Sequence, residues 1–217
     1  MNIYALSTGR GPSGIAIVRL SGKETLKICQ SLTKFKDIKS NEVNFCKFYD
    51  PKNDNVIDPE ALLLWFPGPN SYTGEDLAEL QIHGSNAIIN ALLKVLSEQK
   101  NCRIAEPGEF TKIAFQNDKI DLLKAESIGD LIHSETELQR QQAVKLVQGN
   151  ASNYYNDLRE KIIRSLASIE AKIDFAEEDL PEKVLKDAHQ SIKEIHSEIT
   201  KIIEDNKVGE KIRDGFR

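Results

Sequence analysis

The sequence predicts an α+β domain over residues 1–117, followed by an all-α helical bundle segment over residues 118–217. Three observations predict this. Short β-rich runs interleave with helical stretches in the first part, without the strict βαβ rhythm of a doubly wound sheet. The second part carries apolar stripes that step by three or four residues. Charge changes at the same place: residues 1–117 carry 13 Lys+Arg and 13 Asp+Glu, while residues 118–217 carry 16 and 21 and so hold the whole net charge of −5.

Each element has its own signal. Tyr4 to Thr8 and Gly14 to Leu20 (GIAIVRL) are short, β-branched and bounded by glycine-rich turns, which predicts strands. Lys23 to Leu32 predicts a helix with Leu26, Ile28 and Cys29 on its apolar side. Phe45 to Tyr49 predicts a strand before the turn cluster DPKNDN. Ala61 to Phe66 is an apolar run of strand length ended by PGP, and Leu77 to Ile82 alternates as a strand does. Asn86 to Leu96 has helical spacing in Ile88, Ile89, Leu92, Leu93 and Leu96. In EPGEFTKIAF, Pro107 suits the first turn of a helix whose N-terminus the acidic residues favour.

Beyond residue 118 the pattern predicts three long helices. The first begins near Asp121 and stops at Gly149. The second has its stripe in Tyr155, Leu158, Ile162, Leu166, Ile169 and Ile173; the third in Leu185, Ala188, Ile192, Ile195, Ile199 and Ile202. DFAEEDLPEK breaks them, with Pro181 at the new helix start. An antiparallel bundle is the preferred packing over a coiled coil. The closing KVGEKIRDGFR is polar with glycines and predicts a linker.

Composition excludes several classes. With 40% hydrophobic and 29% charged residues, the chain has soluble globular composition. No apolar run approaches the ~20 residues that span a bilayer, and MNIYALSTGR has no signal-peptide pattern, so a cytoplasmic chain without a membrane role is expected. Cys29, Cys46 and Cys102 have neither metal-ligand nor redox spacing and are expected to be buried thiols. The acidic second part argues against the chain's being a main nucleic-acid-binding surface.

The candidates for chemistry are few. GRGPSG at 9–14 has the glycine spacing of a phosphate loop, but Ile15 stands where the lysine belongs and a strand follows, so a tight turn is predicted. Arg19, at the end of an apolar strand, is either a rim residue paired with a carboxylate or a fork for an anionic or heteroaromatic ligand. FPGPNSYTGEDLAELQIHG at 66–84 forms a long rigid loop between two strands, and loops of this kind are commonly functional. Glu75, Asp76, Glu79 and His83 there match no recognised metal spacing. Glu79 is better used as one carboxylate facing a ligand, with a plain surface carboxylate as the alternative. Lys112 and Lys119 lie on a mixed-charge stretch that is most often a solvated face. No spacing supports a Ser/His/Asp or Cys/His nucleophile set.

The segments GIAIVRLSG, LWFPGPNSYTGEDLAELQIHG and RIAEPGEFTKIAFQNDKIDLLKAESIGDLI, in that order, resemble the signature of the bacterial tRNA-modification GTPase family MnmE, also called TrmE. IEAKIDFAEEDLP and GEKIRDG resemble its helical region. The resemblance implies a folate-binding and dimerising N-terminal domain similar to the aminomethyltransferases of glycine cleavage. It also implies a helical domain built on both sides of an inserted GTPase domain. In that family, GTP hydrolysis with magnesium and potassium, a flavoprotein partner (MnmG) and a folate one-carbon unit serve to place an aminomethyl-type group on C5 of the wobble uridine of certain tRNAs.

Matched position by position, the resemblance makes Arg19, Glu79 and Lys119 the contacts of a tetrahydrofolate, as its 5-formyl or 5,10-methylene form. It assigns neither a catalytic residue nor a metal ligand to these 217 residues. Glu79 would accept paired hydrogen bonds from the pterin, and Arg19 and Lys119 would hold carbonyl or carboxylate oxygens, with Arg19 also able to stack on the ring. The sequence departs from the family at three points. It contains no G-x-x-x-x-G-K-[ST] run, so GTP binding is not expected of it; it has no match to the family's C-terminal cysteine motif; and GRGPSG replaces a PPGxGG-like turn. The last helices are expected to keep part of their stripes uncovered. A stand-alone folate-binding protein and a ligand-free dimerisation scaffold are the alternatives.

Overall fold

The structure, a computed structural model, describes residues 1–9, 11–175, 181–204, 209 and 213. It divides into two compact units, Met1–Ile120 and Asp121–Arg217.

In the first unit the order is β1 (Asn2–Leu6), β2 (Ser13–Ser21), α1 (Thr25–Thr33), β3 (Val43–Tyr49), β4 (Val56–Phe66), β5 (Leu77–Gly84), α2 (Asn86–Ser97), β6 (Cys102–Ile104) and α3 (Glu109–Gln116). The strands form one sheet in the order β3-β4-β5-β2-β1-β6, antiparallel throughout except for the parallel pair β1 and β6. Strand periodicity sorts its side chains onto two faces. Ala16, Val18 and Leu20 of β2 and Leu80 and Ile82 of β5 point to the face covered by α1 and α2, where Cys29, Leu32, Leu92 and Leu96 meet them in one core. The opposite face receives Ile15, Ile17, Arg19, Glu79, Gln81, Leu62 and Leu64. Its apolar members Ile15, Val43 and Phe45 are exposed.

Several local expectations need correction. β4 begins at Val56, not Ala61, because it continues past a register shift opposite Cys46 and Phe48. Pro59 lies at that irregularity, a position in a strand that tolerates a missing N–H. The three-residue β6 was not predicted; CRI is too short for a periodic signal. Pro107 lies outside α3, which starts at Glu109 after Gly108. Arg10 of GRGPSG lies outside the described residues.

In the second unit, the predicted helix from Asp121 to Gly149 is two helices, α4 (Leu122–Ile132) and α5 (Glu137–Val147). The break has a local cause. Thr136 accepts from the Gln139 N–H at 3.2 Å, and the Gln139 side chain accepts from the Thr136 N–H at 3.0 Å, a reciprocal cap that starts a new helix. Asp121 caps α4 by accepting from Lys124 N–H at 2.7 Å. Gly149 takes a left-handed φ of 86° at the end of α5, and α6 (Asn150–Asp174) follows.

α7 (Glu182–Ile203) starts directly after Pro181. Residues 176–180 of the predicted break lie outside the described residues. The same holds for most of the predicted terminal linker, of which Gly209 and Arg213 are described. The Arg213 guanidinium pairs with Asp130 at 3.0 Å, and the Gln142 amide donates to the Gly209 carbonyl at 3.1 Å. Of the two stripes, Leu158, Ala188 and Ile195 are buried, while Ile162, Leu166, Ile173, Ile192, Ile199 and Ile202 remain exposed.

Candidate functional site

The antiparallel register of β2 and β5 sets Arg19 directly opposite Glu79. Both side chains stand on the sheet face away from α1 and α2. There Arg19 Nη2 donates to Glu79 Oε1 at 2.7 Å and Arg19 Nε donates to the same oxygen at 3.2 Å. The pair is largely but not fully covered, with side-chain exposures of 28% and 21%. Glu79 Oε2 accepts no hydrogen bond among the described residues.

The Pro67–Asp76 loop is pinned rather than free. Asp76 accepts from the Gly68 N–H at 2.9 Å, and the Ser71 hydroxyl donates to the Glu75 carbonyl. The buried Thr73 hydroxyl shares a 2.7 Å hydrogen bond with Ser21 at the end of β2. α3 holds the other side: the Asn117 amide donates to the Thr73 carbonyl at 2.7 Å, and the Tyr72 hydroxyl lies 2.9 Å from Thr111 Oγ1. Tyr72 and Phe110, one from the loop and one from α3, bring their rings to 5.4 and 5.7 Å from the Arg19 guanidinium carbon.

Lys119 is set by the end of α3. Asp118 takes φ 53°, the Lys119 N–H reaches the Ala114 carbonyl at 2.9 Å, and the Asp118 N–H reaches Phe115 at 3.1 Å. This is a Schellman stop with an aspartate where glycine is usual. It lays the Lys119 stem against Gly74, where an added Cβ would stand 3.3 Å from Lys119 Cδ and 3.2 Å from Asn117 Cβ. Gly74 also has a φ of 79°, so both backbone and space call for glycine. The Lys119 ammonium makes no ion pair or hydrogen bond among the described residues. The structure therefore brings Arg19 and Glu79 into contact and packs Lys119 against Gly74 of the neighbouring loop, without joining it to the pair.

The other sequence candidates go elsewhere. His83 turns to Asp58, with its Nδ1 at 2.9 Å and its N–H donating at 2.7 Å. Asp58 has no exposed side-chain surface and also accepts from the Glu60 N–H at 3.1 Å, so this pairing pins β4 to the end of β5. Among the described residues no group of three or more His, Cys, Asp or Glu could hold a metal ion. All three cysteines are free. Burial pushes the Cys46 thiol up to about 12 and the Cys102 thiol to about 11, which leaves both as inert thiols at neutral pH. Lys112 is exposed on α3.

Sequence reasoning missed Tyr72, Phe110, Thr111 and Asn117. Tyr72 and Phe110 lie inside the two segments singled out by their turn residues, but aromatic residues there give no period and so no direction.

The fold and site define a two-part protein: an α+β unit with a loop-covered arginine–carboxylate pair, then a helical unit. Residues 2–119 match the family model described as GTP-binding protein TrmE N-terminus, and residues 122–217 match that of the MnmE helical domain. The chain is 55% identical over 217 residues to the tRNA modification GTPase MnmE of Pelagibacter ubique, covering 100% of this chain and 49% of the relative. It is 41% identical over 213 residues to that of Parvibaculum lavamentivorans, covering 98% and 48%. With the MnmE of Neorickettsia sennetsu it shares 44% over 214 residues, covering 99% and 38%. The chain belongs to the MnmE family of tRNA modification GTPases, and it spans about half the length or less of these curated relatives. No helix among the described residues is long and apolar enough to cross a membrane.

Proposed function

We propose that the N-terminal unit binds a tetrahydrofolate, as the 5-formyl or 5,10-methylene form, at Arg19, Glu79 and Lys119. The observation that carries this reading is the Glu79 carboxylate, 21% exposed, with one oxygen on Arg19, whose guanidinium lies beside two aromatic rings, and the other without a hydrogen bond among the described residues. The donor set fits the group. A partly buried carboxylate can accept paired hydrogen bonds from an amino group and a ring N–H, and the flanking rings suit a planar heterocycle. Arg19 and the Lys119 ammonium supply positive charge for carbonyl or carboxylate oxygens. Bound folate would supply a one-carbon unit; the residues named here bind and orient it.

The wider reading follows the family. In a longer protein this unit would work beside a GTPase domain using GTP, magnesium and potassium, as a homodimer in the cytoplasm. With an MnmG-like flavoprotein it would modify the wobble uridine of tRNA. A likeness to the aminomethyltransferases belongs to the same proposal. The exposed Val43 and Phe45 on the open sheet face support dimerisation through this unit, and the uncovered stripes of α6 and α7 support a helical region completed by further segments.

Calorimetric titration with 5-formyltetrahydrofolate, beside Glu79→Ala, tests the proposal. Binding by the wild type that Glu79→Ala loses is the expected result. Unchanged binding by Glu79→Ala, or no binding by a folded wild-type chain, overturns it.

A further inference from the structure

We propose that Tyr72 and Phe110 act as positioning residues, an aromatic clasp that holds the Arg19 guanidinium in place when Glu79 turns from it to a ligand. The inference rests on the folate reading above and adds how the closed ion pair opens.

Both hydrogen bonds from Arg19 to Glu79 end on Oε1. A carboxylate that takes parallel hydrogen bonds from a heterocycle must offer both of its oxygens. Arg19 and the ligand therefore compete for Oε1. Were Glu79 the only partner of Arg19, the exchange would strand a cation whose side chain is only 28% exposed, which is costly. The site supplies a partner that does not compete for hydrogen-bond acceptors. The Arg19 guanidinium carbon lies 5.4 Å from the Tyr72 ring centre and 5.7 Å from that of Phe110, inside cation–π range.

The two rings come from different elements. The 2.9 Å contact between the Tyr72 hydroxyl and Thr111 ties the loop ring to the helix that carries the other. A clasp built this way keeps Arg19 from following Glu79, and it frees the carboxylate without leaving the cation bare.

Two measurements on the full chain test this. The first is titration with 5-formyltetrahydrofolate. Phe110→Leu and Tyr72→Leu should each weaken binding by about three- to tenfold, the size of one partly covered cation–π contact. Phe110→Tyr, which keeps a ring, should restore it. The second is the Arg19 Nε–Hε resonance in isotope-labelled, ligand-free protein. It should be ring-shifted and slow to exchange in the wild type, and should lose both properties in the leucine variants while their melting temperatures hold. Should Phe110→Leu fail to fold, Tyr72→Leu carries the test.

Leucine variants that bind as the wild type does, or that leave the Arg19 signal unmoved, overturn the clasp. The two readings fail separately. A wild-type chain that binds no folate overturns the functional reading and with it the exchange, even with Arg19 ring-shifted. A wild-type chain that binds, beside leucine variants that bind equally well, overturns the clasp alone.

Discussion

In the N-terminal unit, Val18, Leu20, Leu63, Leu80 and Leu92 are all 0% exposed, and they come from four separate elements around one core. Along α6, by contrast, Ile162, Leu166 and Ile173 are 47%, 52% and 69% exposed, although their spacing is as regular. Regular spacing decides which face of a helix is apolar; only a partner decides whether that face is buried. The sheet unit carries its partners within residues 1–120, where α1 and α2 close one face. The helical unit pairs α6 with α7 and leaves the outer half of each stripe to solvent.

The sharpest way to break this contrast is to truncate one aliphatic side chain on each side of it. Leu80→Ala should destabilise the N-terminal unit by about 3 kcal/mol, within the 2–5 kcal/mol that core leucines cost. Ile162→Ala should cost under about 1 kcal/mol, because its side chain loses little cover. Trp65, the single tryptophan, lies in β4 and reports the first unit by fluorescence in urea. Helical circular dichroism reports the second. A Trp65 transition unmoved by Leu80→Ala would show that the closed core does not govern that unit's stability.

A second substitution tests the loop over the site. Gly74→Val forces a branched side chain into a left-handed φ of 79° and against Asn117 and Lys119. The backbone term alone is about 1–2 kcal/mol. Melting of the N-terminal unit should fall accordingly, and folate binding should weaken as the loop shifts. A variant with wild-type melting would mean that the loop can give way there without cost.

The same contrast explains what could be read from the sequence. Strands with alternation, such as GIAIVRL and LAELQI, and the Asn86–Leu96 helix lie where their patterns put them, because one face of each meets the core. The pairing of Arg19 with Glu79 was open to reasoning only as an alternative, since register is a property of two strands and neither strand contains it. Tyr72 and Phe110 were out of reach for the same reason: their meeting depends on how a ten-residue loop folds back. The break in the predicted Asp121–Gly149 helix was legible in principle. Thr136 with Gln139 three residues on is a capping signal, but a helix placed by Asp121 and Gly149 alone passes over it.

Thr136→Ala sharpens that last point. Removing the cap hydroxyl should cost the helical unit about 1 kcal/mol, visible in helical circular dichroism, and leave the Trp65 transition where it was. A cost near zero would mean that the break between α4 and α5 is set by packing instead.

The smallest expected effect is electrostatic and belongs to the N-terminal unit. Glu109 is held below the usual carboxylate range, first by its hydrogen bonds from Arg103, one of them at 2.9 Å, and further by the Glu106 N–H at 2.8 Å. Its folded-state pKa is depressed, so the unfolded chain takes up the proton first. The pair's contribution is therefore present above the unfolded value of about 4.3 and is lost as pH falls through the lower folded value. Arg103 stays charged throughout and is 39% exposed, so solvent screens the pair and its contribution at pH 7 is small. Glu109→Gln keeps the shape of the side chain and removes its charge. The stability gap between wild type and this variant should be near full size at pH 7, narrow below pH ~4 and shrink further with added salt. A gap that stays constant down to pH ~2 would assign the contribution of Glu109 to packing and to the cap on Glu106, not to its charge.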